Sequence, residues 1–163
     1  SEGLKKRPKD EILWLALAEV YDKQKNLPKL VESLRRVIEI NPDNATALNY
    51  LGYTFAEKGI NLPEAEQLIV RALEIKPKDG YIADSLGWVY YQQGQYQKAL
   101  KKLEEAMKWV PNEPVVLEHY GDTLLKVGQS KKAKEIYEQA VKASKDEAEK
   151  ARIGKKLESL AHP

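Results

Sequence analysis

The residues best suited to recognition chemistry follow one another at helical spacing between positions 81 and 91. Tyr81, Asp84, Trp88 and Tyr91 are separated by three, four and three residues. In a helix that turns by about 100° per residue they therefore share one face. Tyr and Trp side chains are frequent anchors of protein interfaces, and a carboxylate among them favours a cationic ligand. The pattern predicts a surface that binds another molecule.

Residue types that carry catalysis are sparse. The chain has two histidines, His119 and His162, and no cysteine, so disulfides and thiolate metal sites are excluded. The sequence contains no Ser-His-Asp set, no metal-ligand spacing and no phosphate-binding glycine loop. Asp84 and Glu118 are the nearest approach to a carboxylate pair, but acidic residues that recognise a partner are far commoner than a catalytic dyad. We therefore expect a protein that is not an enzyme and has no cofactor and no bound metal.

The composition limits the classes of partner. The 163 residues include 27 basic and 25 acidic side chains, which give a formal net charge of +2. So small an excess does not suggest nucleic acid. No apolar run approaches the roughly 18 residues that a membrane span needs, and the polar start "SEGLKKRPKD" is unlike a signal sequence. We expect no nucleic acid and no membrane contact, in either cytoplasm or periplasm.

The elements that must position these residues repeat along the chain. The tetrapeptides "RPKD", "NPDN", "KPKD" and "VPNE" contain Pro8, Pro42, Pro77 and Pro111, which lie 34, 35 and 34 residues apart. Between the prolines, two amphipathic helical segments are joined by a short polar turn. A period of this length indicates an array of helical repeats.

The chain resembles the tetratricopeptide repeat family, whose signature is a helix–turn–helix unit of 34 residues. The third unit carries the signature residues Leu86, Gly87, Tyr90, Ala99, Leu103, Ala106 and Pro111. The resemblance implies an all-α fold, a right-handed α-solenoid of about four repeats with a carboxyl-terminal capping helix. The expected single domain, 1–163, consists of the tail of a preceding repeat (1–10), four repeats (11–44, 45–79, 80–113 and 114–147) and the capping helix (148–163).

Some positions should serve only the packing of the helices. Trp14 and Trp109 fall on helix-packing faces and are expected to be buried. One extra residue lies between Gly52 and Ala65 compared with the later repeats. We expect it to lengthen the turn at 59–64 without shifting the stack of helices.

The resemblance places the stripe that contains Trp88 on the concave surface of the array. Across the four repeats, this stripe has sixteen residues, of which five are acidic and none is basic. It is aromatic in the middle and acidic towards both ends. The alternative is that the aromatic residues only fill gaps between adjacent first helices. The predicted binding residues of the stripe and its border are Asn49, Tyr50, Tyr53, Tyr81, Asp84, Trp88, Tyr91, Glu118, His119 and Asp122.

We expect a non-catalytic scaffold or adaptor that binds a protein, as an extended peptide or a partner helix of apolar and basic character, in this groove. The alternative is a self-assembling scaffold that stacks through repeat ends or the convex face. A repeat interrupted at Leu4 would expose an apolar end, through which an oligomer could form.

Family resemblance also bears on the kind of partner. Members that grip acidic chaperone tails use Lys, Arg and Asn at slots that here hold Leu15, Glu19, Tyr50, Tyr81 and Ser85, so that role is not expected. The run 48–100 is similar to bacterial periplasmic repeat lipoproteins, including adaptors for carboxyl-terminal processing proteases. That similarity implies a periplasmic protein, anchored to the outer membrane in its full-length form.

Overall fold

A computed structural model describes the backbone from Glu2 to Ala161 and the side chains from Lys9 to Ala161. Over this range the chain forms nine α-helices and no strand. The helices are α1 (Glu2–Lys23), α2 (Leu27–Ile40), α3 (Ala45–Lys58), α4 (Leu62–Ile75), α5 (Gly80–Gln92), α6 (Tyr96–Trp109), α7 (Pro114–Lys126), α8 (Ser130–Ala143) and α9 (Glu147–Ala161). The all-α helical-repeat class predicted from the sequence is confirmed.

Local sequence signals define the starts of several helices. The side-chain oxygen of Asn44 accepts a hydrogen bond from the amide of Ala47 (2.9 Å), and Asp79 accepts one from Tyr81 (2.9 Å). These bonds satisfy amide donors that have no partner within the helix. Prolines occupy the first turns of α2, α4 and α7, where the missing N–H costs little. Each of these helices is therefore specified by its own residues before it packs.

The helices pack as consecutive antiparallel pairs, α1 with α2, α3 with α4, α5 with α6 and α7 with α8, and α9 lies on α8. The described chain divides into two compact units, residues 1–77 and residues 78–163. The first unit holds α1 to α4 and the second holds α5 to α9. Each unit thus contains complete helix pairs, and the single-domain organisation stays a prediction.

Close approach within a pair depends on glycine. A Cβ atom added to Gly121 of α7 would lie 2.5 Å from Cε1 of Tyr137 in α8. In the first unit, a Cβ on Gly52 would lie 2.5 Å from Cγ1 of Ile69. Real Cβ contacts are longer than this, so a larger residue would push the paired helices apart. The glycines of the repeat signature thus set the spacing of the helices.

The first helix departs from the predicted repeat boundary. α1 continues from Glu2 to Lys23 through Pro8, so the backbone does not turn between 1–10 and 11–44. The φ angle of proline suits a helix, and the cost is one missing donor and some crowding in the preceding turn. The side chain of Leu4, with its predicted place at an exposed repeat end, lies outside the described residues.

The extra residue lies in a helix, and the predicted longer turn is wrong. α3 has 14 residues, whereas α5 and α7 have 13. The segments that join the two helices of each pair, 59–61, 93–95 and 127–129, all have three residues. An added helical residue gains a backbone hydrogen bond, which a longer loop does not. The turn after α3 instead has two residues in the left-handed region, Gly59 (φ 68°) and Asn61 (φ 47°).

The two tryptophans expected in the core are less buried than predicted. Trp109 is 47% exposed, because it is the last residue of α6 and its ring lies beside the Lys78 ammonium, 5.7 Å from the ring centroid. Trp14 is half-buried, with the Arg36 guanidinium 6.0 Å from its ring. A basic group therefore lies within cation–π distance of each ring.

One face of α1 is apolar and exposed. Leu13, Leu17 and Val20 lie on this face and are 62%, 39% and 47% exposed. The positions 34 residues later in α3, which are Ala47, Leu51 and Thr54, are all buried. The same face of a first helix is thus covered in α3 and open in α1.

Candidate binding surface of the second unit

Aromatic side chains from α5, α6 and α7 form a stacked group, which we call the aromatic cluster (Trp88, Tyr91, Tyr96 and His119). The Trp88 ring stacks on Tyr91, with centroids 4.3 Å apart, and on His119, with centroids 4.1 Å apart. Tyr96 meets Tyr91 edge-on at 5.4 Å. Trp88 and Tyr91 remain half-buried, so part of each ring faces solvent. Stacking holds these rings in fixed positions at the surface.

His119, which belongs to the aromatic cluster, forms a buried pair with Asp84. His119 and Asp84 are 6% and 4% exposed, and Nδ1 of His119 lies 2.8 Å from Oδ1 of Asp84. Burial by itself would lower the pKa of the His119 imidazole. The charge of Asp84 and its hydrogen bond act in the other direction and prevail, so the pKa of His119 lies above its usual value. When His119 is protonated, its charge balances that of Asp84.

The capping helix α9 supplies cations to the carboxylates of α7. Glu118 accepts hydrogen bonds from Nη2 of Arg152 (2.8 Å) and Nε of Arg152 (3.1 Å), and the Lys156 ammonium lies 2.7 Å from Oε2 of Glu118. Lys156 also donates to both oxygens of Asp122, each at 2.9 Å. The hydroxyl of Tyr137 donates to Asp122 at 2.5 Å. Two cations of α9 are therefore paired with two carboxylates of α7 in one network, and Arg152 also lies 4.0 Å from Glu149 of α9.

The network determines how Glu118 titrates. Its side chain is only 7% exposed, and burial would raise the pKa of the carboxyl group. Hydrogen bonds from Arg152 and Lys156 to the ionised form outweigh burial, so the pKa of Glu118 lies below its usual value. Glu118 is therefore a buried, compensated charge.

This arrangement differs from the expected acidic groove. Asp84, Glu118 and Asp122 have their charges matched by side chains of the same unit. The comparison of the four repeats did not include Arg152 and Lys156, because both lie in the capping helix α9. A signal was present: each of these cations follows its carboxylate partner by 34 residues, which is one repeat period.

An open cavity of about 630 Å³ lies beside the aromatic cluster, and we call it the basic pocket. Its apolar wall includes Leu125 and Leu160, and three lysines border it. The complete lining is Tyr91, Asp122, Leu125, Lys126, Tyr137, Lys155, Lys156, Ser159 and Leu160. Pockets of this size are typical of ligand sites.

Two of the three lysines in the basic pocket are not used by the network. Lys126 and Lys155 are both exposed, and no described carboxylate lies within ion-pair distance of either. The Lys126 ammonium lies 5.8 Å from the Tyr96 ring centroid. No sequence pattern identified these lysines as a site, because they border the predicted stripe rather than belong to it.

The other predicted residues lie elsewhere. Tyr81 is 51% exposed, and its hydroxyl donates to Oε2 of Glu113 at 3.0 Å. In the first unit, Tyr50 donates to Asp22 at 2.6 Å, and burial together with this carboxylate raises the pKa of the Tyr50 phenol. Tyr50 and Tyr53 border a cavity of about 150 Å³. The carbonyl oxygen of the Asn49 side chain is buried without a hydrogen-bond partner among the described atoms.

Two other kinds of site are absent from the described residues. Between Glu2 and Ala161, no helix combines the length and apolar character that crossing a membrane requires. In the same range, no three His, Asp or Glu side chains are grouped so that they could hold a metal ion.

Comparison with known families and sequences gives consistent matches. Two tetratricopeptide repeat families match the chain, one over residues 90–153 and the other over residues 12–44. The TPR repeat-containing protein PA4667 of Pseudomonas aeruginosa is 35% identical over 121 residues. The match covers 74% of this chain and 20% of that protein, so the chain spans about a fifth of the length of this relative.

Solved structures share the fold. PilW, a widely conserved type IV pilus biogenesis factor, superposes with a TM-score of 0.81 at 25% identity, over 97% of this chain and 73% of PilW. The Pseudomonas aeruginosa pilF product gives 0.75 at 23% identity, over 94% and 71%. An O-GlcNAc transferase of Thermobaculum terrenum also gives 0.75, at 22% identity, over 84% of this chain and 26% of that enzyme. The last two likenesses concern the fold alone.

Proposed function

This chain belongs to the tetratricopeptide repeat family, whose members are generally non-catalytic and typically bind protein partners, and we propose that its second unit binds a peptide segment of a partner protein. The binding surface is the exposed edge of the aromatic cluster together with the basic pocket. The observation that carries the proposal is the open cavity of about 630 Å³ next to half-buried, stacked aromatic rings.

Preorganisation favours binding at this surface. The stacked rings of Trp88 and Tyr91 have already lost side-chain freedom, so a ligand does not have to order them. Arg152 and Lys156 tie α9 to α7 and so fix the far wall of the pocket. A rigid, partly apolar cavity with aromatic anchors is the arrangement that interface hot spots use.

Selection of peptides tests the proposal. A random dodecapeptide phage library is selected on the immobilised protein, and the affinity of an enriched peptide is measured by fluorescence anisotropy. Tyr91→Ala should weaken binding by roughly 30-fold, since a buried aromatic anchor is worth about 2 kcal/mol at an interface. The matched control is Trp109→Ala, an exposed aromatic residue outside the proposed surface, which should leave the affinity unchanged.

Two results would overturn the proposal. One is an enriched peptide whose affinity is unchanged in Tyr91→Ala but is reduced in Trp109→Ala. The other is the absence of any peptide enriched on the wild type over a Tyr91→Ala/Leu125→Ala protein that retains its helical circular dichroism.

A further inference from the structure

We propose that the partner segment is acidic, with an Asp or Glu side chain next to an apolar side chain. This inference rests on the proposed function and adds the charge of the ligand. It reverses the expectation of a basic partner, which depended on the carboxylates of the stripe alone.

The balance of charges within the second unit supports the reversal. Asp84 is paired with His119, Glu118 with Arg152 and Lys156, and Asp122 with Lys156. Once the charges that are matched inside the unit are set aside, the remaining charges on the lining of the basic pocket are those of Lys126 and Lys155. The pocket therefore presents two uncompensated positive charges to a ligand.

The cost of binding a cationic side chain at the carboxylates beside the basic pocket also favours an acidic ligand. A Lys or Arg side chain from a partner would compete at Glu118 and Asp122 with Arg152 and Lys156, which already hold these carboxylates at 2.7 to 3.1 Å. Glu118 is also buried, with a side chain that is 7% exposed. Breaking a pair of this kind leaves a buried charge without compensation, which is strongly unfavourable. A basic ligand gains little here.

The apolar part of the pocket lining indicates the second feature of the ligand, an apolar side chain next to the acidic one. Leu125 and Leu160 form a partly buried apolar wall, and the Tyr91 and Tyr137 rings lie beside it. The two uncompensated lysines, on α7 and α9, border this wall. An apolar side chain on the wall and a carboxylate between the lysines would use both features at once. The lysines mainly contribute to the rate of encounter and to orientation.

The experiment uses peptides enriched on the wild-type protein and adds two charge-reversed proteins. Lys126→Glu/Lys155→Glu changes the pocket. Lys101→Glu/Lys131→Glu is the matched control, because it has the same net charge but alters exposed lysines of α6 and α8 outside the pocket. Enriched peptides should contain Asp or Glu next to Leu, Ile, Phe or Trp.

The expected affinity changes distinguish this inference from the proposed function. Binding of an enriched peptide should weaken by about tenfold in the pocket variant, since exposed ion pairs are individually weak and two are reversed. The control variant should stay within about twofold of the wild type. Peptides that are basic or neutral, yet depend on Tyr91, would overturn the acidic partner and leave the binding surface standing. Equal losses in both charge variants would also overturn it, because only long-range net charge would then matter.

Discussion

Lys156 is the cation that Glu118 and Asp122 share, and replacing it tests whether α9 neutralises the surface of the second unit. Lys156→Met keeps most of the apolar stem and removes the charge. Glu118 then keeps Arg152 as its cation, whereas Asp122, one helical turn away on α7, loses its ion pair. We expect the free energy of unfolding of the second unit to fall by about 2 kcal/mol.

The magnitude follows from the contacts. A hydrogen bond to a charged group contributes about 1.5 to 3 kcal/mol, and Lys156 makes such bonds to two carboxylates, at 2.7 Å and 2.9 Å. Its side chain is 34% exposed, so water recovers part of that energy in the variant. Arg152 still holds Glu118, and Tyr137 still donates to Asp122. Repulsion between like charges four residues apart adds only about 0.2 to 0.5 kcal/mol.

Urea denaturation followed by tryptophan fluorescence measures the effect. A Trp14→Phe background leaves Trp88 and Trp109, which both lie in the second unit. The control is Lys155→Met, the next residue of α9, which is exposed and has no ion pair among the described residues. Its stability should stay within about 0.5 kcal/mol of the wild type.

The pH dependence of the difference is a second readout. Because the pKa of Glu118 is lowered in the folded state, the stabilisation it brings is present above its unfolded value, about 4.3. That stabilisation is lost as the pH falls through the lower, folded-state pKa. The gap between wild type and Lys156→Met should therefore narrow as the pH falls below about 4.3 and passes through the folded-state pKa of Glu118. A gap that stays constant until the protein unfolds in acid, or an equal loss in Lys155→Met, would refute the reasoning.

Two further predictions concern the interior of the second unit. Gly121→Ala should destabilise it by about 1 kcal/mol in urea denaturation, because overpacking against Tyr137 exceeds the gain in helix propensity. Gly154→Ala, whose added Cβ meets no heavy atom within 4 Å, should gain up to about 1 kcal/mol, and a gain in both would contradict the packing account. Since the pKa of His119 is raised, the stability from its pair with Asp84 is fully present below about pH 6.5 and is lost as the pH rises through the folded-state pKa. Denaturation between about pH 6 and 9 should show this loss in the wild type but not in His119→Gln, and a flat wild-type profile would count against it.

The repeat period carried enough information to predict the helices. The spacing of the prolines and the signature residues marks where each helix pair begins, because a packed pair needs small residues at the same places in every repeat. The repeat period gave wrong predictions for residues that end a helix or that depend on a neighbour outside the repeat. Trp109 ends α6 beside Lys78, and Pro8 is accommodated inside α1.

The helical spacing indicated which residues share a face, but it did not indicate how the carboxylates on that face are paired. The stripe at 81–91 did identify Trp88 and Tyr91, which stack on each other. Periodicity shows which residues share a face, but it does not show which side chain of the next helix lies opposite. For Glu118 that side chain is Arg152, one period further on in a helix that lacks the repeat signature. A stripe of charges in a repeat protein is therefore best evaluated against the residues one period away.

The open face of α1 has a consequence for how the first unit unfolds. In a chain of repeats, the stability of each element depends on its nearest neighbours. Leu13, Leu17 and Val20 leave apolar surface in water that α3 buries at the same positions. Helix α1 is thus held mainly by contacts with one partner helix, α2, whereas α3 has both α2 and α4. In the 163-residue chain, the amides of α1 should therefore exchange with solvent through local opening, whereas those of α3 should exchange only when the unit unfolds.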